Sequence, residues 1–106
     1  MARLKTDTFD ISEVCDVIIE ILKLKKVEEI NLEFFSLSDD DEITEKISVN
    51  ELKEKIKEIY DEDDYGRFEV KELGILFEFS QSDLIFNYSA ELEHELVEKI
   101  KQVFDV

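Results

Sequence analysis

Apolar side chains recur at helical spacing in three segments of the chain. The first segment starts after Asp10 or Ser12, either of which can cap a helix, and extends to about Lys25. Ser48 opens a Ser-x-x-Glu capping box that predicts a second helix, and Ser89 predicts the cap of a third. The three inward stripes are Ile11, Val14, Cys15, Ile18, Ile19 and Leu22; Val49, Leu52, Ile56, Ile59 and Tyr60; and Leu92, Leu96, Val97, Ile100, Val103 and Phe104.

Between these helices, apolar residues alternate with polar ones in the two-residue period of a β-strand. The segments with this period are residues 30–35, 68–70, 73–79 and 84–88, and residues 43–47 allow one more short strand. The alternation changes parity near Glu72 and Gly74, which predicts a bulge or bend there. We expect residues 73–80 to pair with residues 84–88 in an antiparallel hairpin.

This order of elements predicts an α+β domain, mixed in α/β content, with a mainly antiparallel sheet of three to five strands and three helices packed on it. The 106 residues fit a single domain, residues 1–106, in which residues 1–9 are a candidate for a frayed N-terminus. Although the net charge is −16, a hydrophobic content of 43% and eight phenylalanines favour a folded chain over a disordered one.

The apolar segments are too short and too often interrupted for a membrane protein. No stretch of signal-peptide length follows the basic opening residues, and Asp16, Glu20 and Lys23 interrupt the most apolar segment. We therefore expect a cytoplasmic protein that does not contact membranes.

Few residues offer catalytic chemistry. His94 is the only histidine, and it lies opposite the apolar stripe of the third helix, so we expect it to face water. Cys15 is the only cysteine; it lies on the stripe of the first helix, where neighbouring acids raise its pKa and make it a poor nucleophile. Only two glycines are present, too few for a glycine-rich phosphate cradle. The sequence favours a binding protein without a cofactor over an enzyme.

The distribution of charge is more informative than any motif. Residues 39–64 contain twelve acidic side chains and four lysines, a net charge of −8 that is half of the charge of the chain. The acids of the second helix lie three and four residues apart, so they form a stripe that joins two acidic loops. We predict a partner-binding patch made of Asp39, Asp40, Asp41, Glu42, Glu51, Glu54, Glu58, Asp61, Glu62, Asp63, Asp64 and Tyr65. The alternative interpretation is a solubilising surface without a partner.

Residues 61–72 resemble the twelve-residue calcium loop of the EF-hand family. Asp61 and Asp63 match the first and third positions of that loop, Gly66 its sharp-turn glycine and Glu72 its bidentate glutamate. The resemblance implies a calcium site made of Asp61, Asp63 and Glu72. The segment departs from the family pattern at Tyr65, where a short oxygen ligand is usual, and a strand rather than a helix is predicted after Glu72.

Two classes of function remain. The first is a protein-binding or inhibitory module whose acidic patch covers a basic protein surface, such as a nuclease toxin or a nucleic-acid-binding protein. In size, acidity and single-domain build, the chain is similar to bacterial immunity proteins that neutralise nuclease toxins and to inhibitors that mimic nucleic acids. The second is an ion binder that uses the EF-hand-like loop. Direct binding to nucleic acid is disfavoured because phosphates repel so acidic a chain.

Overall fold

The computed structural model describes residues 2–35 and 42–104, in which strands and helices follow the predicted order. The strands are β1 (Ala2–Thr6), β2 (Glu29–Phe35), β3 (Glu42–Ser48), β4 (Tyr65–Val70), β5 (Ile75–Phe79) and β6 (Leu84–Tyr88). The α-helices are α1 (Ile11–Leu24), α2 (Val49–Asp61) and α3 (His94–Phe104), and a 3-10 turn covers Lys71–Leu73. The predicted α+β class is therefore confirmed.

The six strands form one antiparallel sheet in the order β1-β6-β5-β4-β2-β3. This is one strand more than the upper limit of three to five that the sequence predicts. The additional strand is β1, which pairs with β6 from Ala2 opposite Tyr88 to Thr6 opposite Leu84. Its pattern is weak because it is an edge strand: only Thr6 is buried and Leu4 is half-buried. Part of the segment expected to fray is thus paired backbone.

The three helices pack on one face of the sheet and enclose the core. Five phenylalanines are almost fully buried there, namely Phe68, Phe77, Phe79, Phe86 and Phe104. The opposite face of the sheet carries no helix among the described residues, and its side chains are exposed or half-buried. α1 begins where the sequence predicts, because the Asp10 carboxylate accepts hydrogen bonds from the backbone N–H groups of Ser12 (2.9 Å) and Glu13 (3.4 Å).

Two boundaries differ in detail from those predicted. The bend near Glu72 and Gly74 is confirmed as a 3-10 turn that ends at Gly74 in the left-handed conformation (φ 65°), so β5 begins at Ile75 rather than at Leu73. The predicted cap at Ser89 is wrong, since α3 begins only at His94. The Ser89 carbonyl instead accepts from Leu92 N–H (3.2 Å), and a Cβ added to Gly74 would lie 2.7 Å from the Ser89 side chain. Residues 89–92 therefore form a turn before α3 begins.

Candidate functional site

The register of the sheet brings several predicted site residues to one end of the molecule. Phe35, the last residue of β2, pairs with Glu42 on one side and with Tyr65 on the other. α2 also finishes at this end, since Asp61 is its last residue and only Glu62, Asp63 and Asp64 separate it from Tyr65. We call Glu42 and the four acids from Asp61 to Asp64 the acidic end.

The C-terminus of α2 closes in a Schellman motif built from acidic residues. Asp64 N–H donates to the Ile59 carbonyl (3.0 Å) and Asp63 N–H to the Tyr60 carbonyl (3.1 Å). Asp63 adopts the left-handed conformation, with φ 59°, at the position where glycine is usual. The last turn carries no basic residue, although a helix C-terminus attracts cations and repels anions. The Gln81 side-chain amide also donates to the Tyr60 carbonyl, at 2.6 Å.

α1 ends in the same motif with the opposite charge. Lys26 takes the left-handed position with φ 62°, and Val27 N–H donates to the Leu22 carbonyl (2.9 Å). Lys23 lies in the last turn and Lys25 caps the helix. Charged side chains therefore stabilise the C-terminus of α1, whereas those at the C-terminus of α2 are unfavourable to it.

The predicted acidic stripe also lies on the surface. Glu51, Glu54 and Glu58 are exposed on α2. The other exposed acids of the predicted patch are Glu42, Asp61, Glu62 and Asp63. Within residues 2–35 and 42–104, none of these seven side chains, nor that of Asp64, forms an ion pair. The predicted residues Asp39, Asp40 and Asp41 lie outside the described residues.

A lysine divides the stripe from Glu42. The Lys55 ammonium lies 3.4 Å from the Glu45 carboxylate of β3 and 4.8 Å from the centroid of the Phe34 ring. Because this cation lies between α2 and β3, it interrupts the acidic surface between the stripe of α2 and Glu42.

Tyr65 lies on the uncovered face of the sheet, neither in a loop nor in the core. It is the first residue of β4, and its ring contacts the Phe35 ring with the centroids 4.9 Å apart. Partial burial and the nearby Glu78 carboxylate raise the pKa of Tyr65 to about 12. The hydroxyl therefore stays protonated at neutral pH.

Charged residues alternate across three strands beside this aromatic pair. The Arg67 Nε donates to the Glu33 carboxylate at 2.8 Å. On the neighbouring strand β5, Glu78 is the register partner of Arg67. The hydrogen bond and the charge of Glu33 raise the pKa of Arg67 further. Together with the rings of Phe35 and Tyr65, and with Glu42, the Glu33–Arg67 pair lines a shallow pocket of about 370 Å³.

Of the residues that line this pocket, the sequence predicts Glu42 and Tyr65 as site residues but not the other three. Phe35, Glu33 and Arg67 come from two strands more than 30 residues apart. One sequence signal for the pocket is Phe35, an aromatic residue at a position of β2 where the alternation predicts a polar side chain.

The structure does not bring the EF-hand-like residues together. Asp61 and Asp63 lie before β4, whereas Glu72 lies in the 3-10 turn after it. Six residues of extended strand span about 20 Å, so Glu72 and Asp61 are too far apart to bind one ion in this conformation. No group of three or more His, Cys, Asp or Glu side chains in the described ranges has the arrangement of a metal site.

The placements predicted for Cys15 and His94 are confirmed. Cys15 is fully buried, and its burial, with a contribution from Asp16, raises the pKa of its thiol to about 12. His94 is exposed at the first turn of α3, with its Nε2 at 3.5 Å from the Glu98 carboxylate.

No protein-family model, curated protein or solved structure matches this chain. Among the described helices, none is long and apolar enough to cross a membrane.

Proposed function

We propose that this protein is a small acidic binding or inhibitory module that covers a basic surface of a partner protein through its acidic end. The observation that carries the proposal is the C-terminus of α2, where four consecutive acids oppose the helix dipole and Asp63 takes a backbone conformation that favours glycine. The helix dipole disfavours this charge, so folding stability does not account for the four acids. A place that breaks local rules without compensation is a candidate for function.

The charge of the acidic end also indicates the chemistry of the partner. Carboxylates that have no ion-pair partner among the described residues steer a basic surface toward them and repel phosphates, so we propose a protein partner rather than a nucleic acid. A nuclease toxin or another nucleic-acid-binding protein carries such a basic surface. The protein would then act as an immunity protein or a nucleic-acid mimic does, in the cytoplasm, and without catalysis of its own.

The first part of the test identifies the partner. Affinity capture from the native host, followed by mass spectrometry of proteins that elute at high salt, should recover a basic protein. The association rate of the purified pair should fall steeply as salt is raised, because the attraction is between opposite charges. A captured protein that binds equally fast at low and high salt would contradict the electrostatic basis.

The second part compares two triple variants with equal net charge. Reversal of Asp61, Asp63 and Asp64 to lysine should weaken the purified complex by at least a hundredfold, since it replaces attraction by repulsion. Reversal of Glu28, Glu69 and Glu91 to lysine is the control: these acids are also exposed, and they lie toward the opposite end of the sheet from Tyr65. The proposal fails if the two triple variants weaken the complex equally, or if the first triple leaves it unchanged.

A further inference from the structure

The pocket beside Tyr65 combines aromatic faces with carboxylates at the edge of the acidic end. Tyr65 and Phe35 form its apolar side, while Glu33 and Glu42 lie on its rim. It opens on the uncovered face of the sheet, at the end of the sheet where Phe35 pairs with Glu42 and Tyr65.

Two of the charged side chains around the pocket pair with each other, and a third forms no ion pair with a described residue. Arg67 is neutralised by Glu33, to which its Nε donates at 2.8 Å, and it faces Glu78 on the next strand. Glu42 is exposed and forms no ion pair with any described residue. Among the described residues, the pocket therefore has one carboxylate without an ion-pair partner, next to two aromatic rings.

We propose that this pocket receives an arginine side chain of the partner protein, with the guanidinium against the rings of Phe35 and Tyr65 and near the Glu42 carboxylate. This inference rests on the proposed function, because it names the group of the basic partner that enters the site. It also gives the interface an anchor, which clustered surface charge alone does not provide.

Arginine fits this pocket better than lysine for two reasons. Its guanidinium is planar and weakly hydrated, so it stacks on an aromatic face while it donates hydrogen bonds to a carboxylate in its plane. Lysine, a strongly hydrated point charge, gains less from the rings.

The probe is N-acetyl-arginine amide, titrated into the protein and followed through backbone amide NMR shifts. We expect weak, saturable binding whose shifts concentrate on Phe35, Tyr65 and Glu42. N-acetyl-citrulline amide has nearly the same shape without the charge and should bind at least fivefold more weakly; N-acetyl-lysine amide should fall between them. Equal binding of arginine and citrulline, or shifts spread over the acids of α2, would overturn the inference.

Two variants and a matched control localise the effect. Phe35→Leu removes one ring from an uncovered strand position, and Glu42→Gln removes the unpaired charge; each should weaken binding of N-acetyl-arginine amide severalfold. Glu69→Gln is the control, because Glu69 is an exposed acid at the opposite end of β4. If Glu69→Gln weakens binding as much as Glu42→Gln does, the pocket is not the site.

The outcomes separate this inference from the proposed function. If N-acetyl-arginine amide fails to bind the pocket but the reversal of Asp61, Asp63 and Asp64 still releases the partner, only the pocket assignment is wrong. If the pocket binds the probe but the partner complex is insensitive to that reversal, the proposed function is wrong.

Discussion

Gly66 of β4 lies directly under the ring of Phe79 of β5: a Cβ added to Gly66 would be 2.3 Å from the Cζ atom of that ring. The two residues are register partners, and both are buried beneath the helices. Gly66 belongs to an extended strand, so the close approach of the ring, rather than an unusual φ, requires glycine here.

We expect Gly66→Ala to destabilise the protein by about 1–3 kcal/mol, because the buried Phe79 ring must leave its position against Phe77. Urea denaturation followed by circular dichroism measures the loss. In the double variant Gly66→Ala/Phe79→Leu, the smaller side chain gives room to the methyl group, so its loss should be smaller than the sum of the two single losses. Strict additivity would show that the contact does not decide the effect.

Gly66 also shows why the EF-hand resemblance was misleading as a guide to geometry. A glycine that a turn requires and a glycine that a neighbouring ring requires are identical in sequence. Only the pairing of β4 with β5 distinguishes them, and that pairing depends on contacts that a twelve-residue motif does not contain.

Calcium is therefore expected to have no specific effect on stability. Because β4 separates Asp61 and Asp63 from Glu72, millimolar CaCl2 should raise the melting temperature no more than NaCl of matched ionic strength. Differential scanning calorimetry of the wild type and of Glu72→Gln gives the comparison. A calcium-specific rise that Glu72→Gln abolishes would restore the EF-hand interpretation.

Elements that depend on local patterns were predicted well from the sequence. α1 has its cap at Asp10 and its apolar stripe within a single segment, and the hairpin of β5 and β6 closes over a four-residue turn. β1 has no such local signal, because it is defined by pairing with β6, which lies about 80 residues later.

The same limit applies to the site. The acids of α2 and of the loop after it could be predicted because charge is visible in composition. The contact between Phe35 and Tyr65 depends on the register of β2 and β4, which sequence periodicity does not determine. The residues of the acidic end could thus be predicted from the sequence, whereas the pocket beside Tyr65 could not.

Cys15 should be unreactive in the folded protein and should make stability fall at alkaline pH. Its pKa is raised by burial to about 12, so at pH 9–10 the thiol ionises in the unfolded chain but not in the folded one. The unfolded state then binds fewer protons, and the free energy of unfolding should decrease by up to about 1.4 kcal/mol per pH unit above the unfolded pKa.

Urea denaturation between pH 8 and pH 10 tests this dependence against Cys15→Ala. The variant should be less stable at pH 8, because it leaves a cavity, but its stability should fall less steeply with pH. Thiol-specific reagents should modify the wild type only at the rate of unfolding. Rapid modification of the folded protein at neutral pH, or parallel pH profiles, would contradict the assignment.

Comparison of the two Schellman motifs measures how much the acids after α2 lower the free energy of unfolding. Lys26 and Asp63 occupy the same left-handed position after α1 and α2, with φ values of 62° and 59°. A cation at a helix C-terminus is favourable and an anion is unfavourable, so neutralising each side chain should change stability in opposite directions.

Asp63→Asn should stabilise the protein and Lys26→Gln should destabilise it, each by about 0.3–1 kcal/mol in low salt, and both changes should shrink in 1 M NaCl because the dipole interaction is screened. Chemical denaturation at the two salt concentrations gives all four values.

Glu69→Gln is the control for the general relief of self-repulsion, since it removes one negative charge from an exposed strand position away from any helix end. Asp63→Asn should exceed it in stabilisation. If the two are equal, the acids do not specifically oppose the C-terminus of α2, and the proposed function loses the observation that carries it.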